Sequence, residues 1–375
     1  MSADVRNTVL VTGAFGQVGN RCTEILLGRG RTVIALDLPG EHSEDTAAAL
    51  SDRGHPGTLV PAYIDLLESE AVAGVVARHH PDAIVHLAAM LAPTSYRNPR
   101  LARKINVEGT RSIVDAAKKL SAAPLFITAS SASVYGSRNP YRYPELITAR
   151  TPVNPIDHYG EDKVLAEAVV VGSGLPHAIL RLAGVISPDG TSSINGDHMV
   201  LMRAAPGDNR MHTVDARDVA LAFANAVDRR SSIDGKILLI GGDDSHLHTQ
   251  RDLEDDIFDA IGIGRLGPSA SLPGNPDDDR GWSFTGYFDT SESQELLEFQ
   301  QHTWPQTTAW LADAQGRLVP LLRVLGPALR PVLRLALGVQ RRVEKRGVYA
   351  DPWALISKKY GGDVLAPTPS DIGPH

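Results

Sequence analysis

Thr8-Val9-Leu10-Val11 runs straight into Thr12-Gly13-Ala14-Phe15-Gly16-Gln17-Val18-Gly19 and on into Asn20-Arg21-Cys22-Thr23-Glu24-Ile25-Leu26-Leu27. A β-rich run, then glycines at every third position, then apolar residues at helical spacing describe a strand, a tight turn and a helix. Gly13 suits the turn, Gly16 lets the backbone approach a pyrophosphate, and Gly19 lets helix and strand pack closely. Three spaced glycines alone mark only a turn; between strand and helix they mark a phosphate site. Working outward, further short β-rich runs stand at Thr32–Leu36, Leu59–Ile64, Ala83–Leu87, Leu125–Thr128 and Ala178–Leu182. Helical spacing recurs at Gln17–Leu27, Ala71–Arg78, Leu101–Leu120 and His158–Val171. The alternation predicts an α/β, doubly wound parallel sheet with crossover helices.

Asp37 closes the second predicted strand, eighteen residues past Gly19. A carboxylate there can accept hydrogen bonds from adenosine ribose hydroxyls and repels a 2′-phosphate, and Leu38-Pro39-Gly40 offers no arginine for one, so NAD is expected over NADP. Asp65, after the third strand, can accept from the adenine amino group or serve as an ordinary loop acid. Phe15, Gln17 and Val18 line the turn.

Two further segments carry chemistry: Ser130-Ser131-Ala132-Ser133-Val134-Tyr135-Gly136 after the fifth strand, and Tyr159-Gly160-Glu161-Asp162-Lys163. Four residues make about one helical turn, so Tyr159 and Lys163 share a face. An ammonium beside a phenol, with a positive nicotinamide ring near, favours the phenolate and makes Tyr159 a usable base. With the glycine turn, these segments resemble the extended short-chain dehydrogenase/reductases, which include NAD-dependent sugar epimerases and dehydratases. His86-Leu87-Ala88-Ala89 and Asn106-Val107-Glu108-Gly109-Thr110 match the same pattern, and the resemblance spans about residues 5–240. It implies a Rossmann-type fold, a catalytic Ser131-Tyr159-Lys163 set and a homodimer. It also implies cofactor contacts from Leu66, Leu87, Ala88, Ala89 and Asn106 besides Tyr159 and Lys163, although Asn106 also suits a structural role. Ser130, Ser131 and Ser133 crowd together; counting back from Val134-Tyr135-Gly136 places Ser131 on the family's catalytic position.

Dehydrating relatives carry acids just after the catalytic hydroxyl, whereas this chain has Ala132-Ser133. Dehydration and decarboxylation are therefore not expected. Epimerase relatives place an asparagine for the sugar diphosphate where this chain has Gly184, in Arg181-Leu182-Ala183-Gly184-Val185-Ile186-Ser187. Arg181, Gly184 and Ile186-Ser187, with Asn98-Pro99 before Asn106, look more like the L-threonine 3-dehydrogenase branch. The resulting expectation is net oxidation or reduction of a secondary alcohol or ketone with NAD, with nucleotide-sugar 4-epimerisation as the alternative. A non-catalytic NAD-binding regulator stands third. Met90, Ser133, Gly184 and Ser187 are the candidate substrate contacts.

The chain has 375 residues, and its charged residues (22%), apolar residues (42%) and net charge of −7 describe a globular protein whose partner is a small molecule rather than nucleic acid. Residues 1–182 are expected to form the nucleotide domain, 183–314 a smaller substrate lobe interleaved with the sheet, and 315–375 a helical extension. Within the lobe, Asp215–Asp228 and Thr249–Ile261 read as helices, Ile237–Ile240 as a strand, and Thr290 as the cap of a helix through Phe299. One cysteine, Cys22, allows no intrachain disulfide, and residues 1–12 lack the build of a signal peptide, so a cytoplasmic protein is expected. His246 and His248 are expected to face solvent, and no metal site is expected. Residues 317–346 carry eight Arg or Lys against one acid. On a helical wheel at about 100° per residue, Arg323, Arg330, Arg334 and Arg341 fall within roughly 40° of one another beside a broad apolar surface. Pro327 and Pro331 are expected to kink or restart the helix. The segment either packs on the protein or lies peripherally on an anionic membrane.

Overall fold

The computed structural model describes residues 7–192, 195–283 and 286–366; Ser2-Ala3-Asp4 and the chain beyond Ala366 lie outside them. Its centre is a parallel sheet of seven strands. Six come in chain order: β1 Thr8–Thr12, β2 Thr32–Asp37, β3 Thr58–Tyr63, β4 Ala83–His86, β5 Leu125–Ser131 and β6 His177–Leu182. Two short strands, β7 Gly184–Ile186 and β8 Arg210–Asp215, precede β9 Lys236–Ile240, and β10 Leu247–Thr249 follows. The large sheet runs β3-β2-β1-β4-β5-β6-β9, and β10-β8-β7 forms a small second sheet. Strand β9 thus returns to the main sheet after the lobe has been built. Pro61 is tolerated because β3 is an edge strand.

Period-two alternation divides the core between the faces of the sheet. Val9, Val11, Val33 and Ala35 pack on one side, against α1 (Gln17–Gly28) and, from the other half of the chain, α6 (Ala216–Asp228). Leu10, Ile34, Leu36 and Ile84 point the other way, towards α3 (Ser69–His79) and α4 (Gly109–Lys118). Further helices include α2 Glu41–Asp52, α5 His158–Val171, α7 Gln250–Ala260, α8 Trp304–Gln315, α9 Leu318–Val343 and α10 Pro352–Tyr360, with shorter ones at Gly196–Ala204 and Ser291–Leu297. Helix α2 was not evident in the sequence, because it buries only Ser43, Ala47 and Leu50 and so carries little periodic signal.

Three expectations need correction. The helix expected over Leu101–Leu120 begins at Pro99 and contains a π turn at Lys104–Glu108 before α4; that turn carries Asn106. Helix α9 runs through Pro327 and Pro331 as one element. Both prolines are exposed, and each leaves one carbonyl, that of Arg323 and that of Pro327, without its usual helical donor. His246 and His248 are buried rather than solvent-facing. Nδ1 of His246 pairs with the Thr213 hydroxyl at 3.0 Å, and the His248 ring lies 4.5 Å from the Trp304 ring.

A buried ion pair joins the middle of the sheet to α5. Glu167 accepts from Arg181 Nε at 2.9 Å and Nη2 at 2.6 Å, and Arg181 Nη1 donates to the Tyr135 hydroxyl at 2.8 Å. Removing one partner strands the other charge out of water. Glu167→Ala is therefore expected to lose about 3–5 kcal/mol of stability in denaturant titration, and the double variant Glu167→Leu/Arg181→Met less than Glu167→Ala alone.

Candidate active site

The strand order reverses between β1 and β4, and the glycine turn sits at the carboxyl ends of these strands, where ligands bind in open α/β sheets. Gly13 has φ +65°, and a Cβ on it would lie 2.9 Å from the Ala88 backbone. A Cβ on Gly19 would stand 1.9 Å from the Gly13 carbonyl oxygen. Gly16 differs: only Gly13 O lies within reach of such a Cβ, at 3.4 Å, so the approach to the start of α1 stays open. With no acid in its first turn, α1 presents free backbone N–H groups there. Asp37 accepts from Phe15 N and from Leu38 N, both at 2.8 Å, which fixes its carboxylate at the rim of the turn. This cradle fits the pyrophosphate and ribose of a dinucleotide.

The other expected cofactor residues take different parts. Phe15 is 2% exposed, so only its backbone is available. Val18 and Leu87 pack against the core on one face of the sheet and Ala88 on the other, while Gln17 and Ala89 are half-buried. Asp65 accepts from Leu67 N at 2.9 Å, the ordinary loop role, and Leu66 is buried beneath Gly109. Asn106 Oδ1 accepts from Met90 N at 2.8 Å and its Nδ2 donates to Met90 O at 3.1 Å, so the π turn holds the loop after β4.

The three serines after β5 are separated by their partners. Ser130 donates to Glu167 at 2.5 Å and is committed to the core. Ser131 caps the following turn, accepting from Ser133 N at 3.2 Å, and donates to Ser133 Oγ at 3.1 Å. Asp157 accepts from Gly160 N at 2.9 Å and so caps α5, which carries Tyr159 and Lys163. Lys163 Nζ donates to Ala129 O at 3.0 Å and lies 5.9 Å from the Tyr159 ring centroid. Ser187 Oγ accepts from Gly190 N at 3.0 Å, a local cap, and Gly184 opens β7.

Burial sets the electrostatics of this set. Tyr159 is 8% exposed, and desolvation lifts its phenol well above the ordinary value; the Ser131 hydroxyl opposes the rise, while the charges of Asp157 and Asp162 add to it. The protein's own groups therefore hold Tyr159 protonated, against the depression expected from Lys163. Desolvation also pulls Lys163 down to about 8, with Glu167 and Asp162 resisting. Asp157 is raised to about 6 by burial, with the Tyr96 hydroxyl, 2.5 Å away, opposing.

The C-terminal segment supplies a wall that was not expected from the sequence. Trp353, Ile356 and Val364 form one apolar cluster with Tyr96, Ile156 and Tyr159. Leu365 bridges to Asp157, and Ala366 N donates to Ile156 O at 3.1 Å. The signal was present: Asp351-Pro352 opens a helix whose apolar residues Trp353, Ile356 and Tyr360 share one side. A separate cleft of about 720 Å³, bordered by Arg97, Arg100, Arg103, His158 and Arg280, has none of Ser131, Tyr159 and Lys163 in its wall.

A dinucleotide cradle, a serine at the end of β5 and a Tyr-Lys pair on α5 define the class of the short-chain dehydrogenase/reductases. A family model, the NAD dependent epimerase/dehydratase family, matches residues 9–241. The chain belongs to that family, whose cofactor is NAD. It is 29% identical over 197 residues to a UDP-glucose 4-epimerase of Lactobacillus helveticus, covering 51% of this chain and 55% of that protein. It is 31% identical over 159 residues to a UDP-glucose 4-epimerase of Mycolicibacterium smegmatis, covering 42% and 48%. The chain thus spans about half the length of these curated relatives. The UDP-Glc/GlcNAc 4-epimerase structure from Campylobacter jejuni superposes with a TM-score of 0.66 at 17% identity, over 82% of this chain and 99% of that one. These relatives are sugar epimerases, and none of them places the chain in the threonine dehydrogenase branch.

Two outcomes follow. Replacing the carboxylate in Asp37→Ala is expected to bring the affinities for NADH and NADPH together, as read by fluorescence titration, because the charge that repels a 2′-phosphate is gone. Lys163 has a folded pKa near 8 against an ordinary 10.5, so between these values the unfolded chain binds more protons and stability rises with pH. Lys163→Met should therefore melt higher than wild type at neutral pH, the gap closing as pH rises through that window.

Proposed function

We propose that this chain is an NAD-dependent epimerase acting on a secondary alcohol carbon of a nucleotide-linked sugar. The observation carrying the reading is the burial of Tyr159 between Ser131 and the wall formed by Trp353, Ile356 and Val364. A closed, dry site suits an oxidised sugar that must be held and reduced again before release. The epimerase relatives and the absence of acids at Ala132-Ser133 support the same reading.

Gly13, Gly16 and the start of α1 would hold the pyrophosphate of NAD, and Asp37 its adenosine ribose. When bound, NAD supplies the hydride acceptor and donor. Tyr159 Oη exchanges a proton with the substrate oxygen, and Ser131 Oγ donates to that same oxygen. Lys163, anchored on Ala129 O, contributes its charge to the phenol and orients the nicotinamide ribose. Met90, pinned by Asn106, and Ser133 border the reacting carbon.

A second reading, net dehydrogenation, is favoured by Gly184, which offers no side chain to a sugar diphosphate. The test is incubation with UDP-glucose and with UDP-galactose. Interconversion without a net rise in NADH absorbance supports the epimerase; no interconversion, together with NADH accumulating on other secondary alcohols, supports the dehydrogenase. In either case Tyr159→Phe should lower turnover by about 10²–10⁴-fold while dinucleotide binding persists. Retained turnover removes Tyr159 from the chemistry.

A further inference from the structure

The wheel of α9 has a basic stripe and an apolar arc, and the structure seats it with the basic stripe inward. Arg334 Nε donates to Leu266 O at 2.6 Å, and Arg341 donates to Ser269 O at 2.9 Å and to Ala270 O. Arg330 lies against Gly264. Gly326 is buried, and a Cβ on it would stand 2.6 Å from Ile263 O, so the helix is drawn close to the 262–270 loop. At the far end Glu344 pairs with Arg203 at 2.7 Å. These contacts fix which side of α9 faces away from the protein.

That outer side is apolar. Leu318, Leu321, Val324, Leu325, Val332, Leu335, Val339 and Val343 are each at least 45% exposed. They run the length of a 26-residue helix, a continuous patch of a kind that marks an interaction surface rather than scattered apolar residues. Arg317 and Arg342 stand at the two ends of the patch and Lys345 just beyond it. All three are exposed and, among the described residues, make no side-chain hydrogen bond or ion pair.

We propose that the outer face of α9 docks on an anionic lipid bilayer, lying along it with the leucines and valines in the interface and Arg317, Arg342 and Lys345 at the headgroups. Charge at the ends of the patch selects lipid over a second copy of the chain. Exposed cations cap both ends of the patch, and in a side-by-side pairing of two copies in either direction they would face exposed cations of the partner or stay unmatched. No helix among the described residues is long and apolar enough to cross a membrane, so the helix lies on the surface. The proposal is independent of the substrate reading.

The test is co-sedimentation of the full chain with vesicles of phosphatidylcholine alone and of phosphatidylcholine mixed with phosphatidylglycerol. The protein should pellet with the mixed vesicles, less at high salt, and stay in the supernatant with phosphatidylcholine. Leu321→Glu/Leu335→Glu changes only exposed residues, so the melting temperature should hold while binding falls to that of a vesicle-free control. Arg317→Glu/Arg342→Glu should weaken binding to the mixed vesicles only partly. The proposal is overturned if the wild type stays in the supernatant with both vesicle types, or if Leu321→Glu/Leu335→Glu pellets as wild type does. A dimer that this double substitution converts to monomer, with no vesicle binding by the wild type, would assign the face to a second copy instead.

Discussion

The site rests on a charge pair that is itself out of water. Glu167 lies one turn beyond Lys163 and two beyond Tyr159 on the same helix, and its carboxylate reaches Ser130 on β5 and Arg181 on β6. Arg181 in turn holds Tyr135, whose hydroxyl donates to Thr148 O at 3.1 Å. Four segments are thus fixed around one ion pair: two strands, helix α5 and the turn after the serines. Satisfying every donor and acceptor is what makes such a buried pair tolerable. It also keeps a negative charge near Lys163 in a place where burial works against the ammonium.

Burial and charge then pull against each other across the whole set. A dry site strengthens electrostatic interactions with a bound ligand but penalises ionisation of the groups that make it. Tyr159 responds by staying protonated and Lys163 by drifting towards neutrality. Ionising a phenol held this way requires positive charge beyond what Lys163 provides alone. The pairing of Asp157 with Tyr96 follows the same rule, since a buried carboxylate keeps a hydroxyl and a backbone N–H as its partners.

What could be read from the sequence was local, and what could not was distant. The glycine turn, Asp37 and Tyr159-Lys163 are legible because their function depends on spacing within one turn or one strand-helix unit. The three serines differ in side-chain direction, Ser130 turning to Glu167, 37 residues away, and no local pattern carries that. His246 and His248 looked solvent-facing because their neighbours are polar; their burial comes from Trp304 and Thr213, which no local pattern connects to them. The arginine stripe of α9 was visible, but a wheel gives the angle between two faces and not which one meets the protein. That choice lies in the carbonyls of the 262–270 loop, which have no signature in sequence.

The C-terminal segment links the surface to the chemistry through backbone connections. Helix α9 ends at Val343, Glu344 is held by Arg203, and Ala350 N donates to Pro273 O at 2.8 Å before α10 begins. Helix α10 then packs against Gly196–Ala204 and against Tyr96, Ile156 and Tyr159. Asp197, on the first of these, accepts from Arg97, from Lys359 at 2.8 Å and from Tyr360 at 2.8 Å, and these cationic and hydroxyl donors hold its carboxyl well below the ordinary range. The wall over Tyr159 is therefore clamped at one end by Asp197 and at the other by the seating of α9. A helix anchored by its arginines and exposed by its leucines is thus joined through residues 344–351 to the segment that packs over Tyr159.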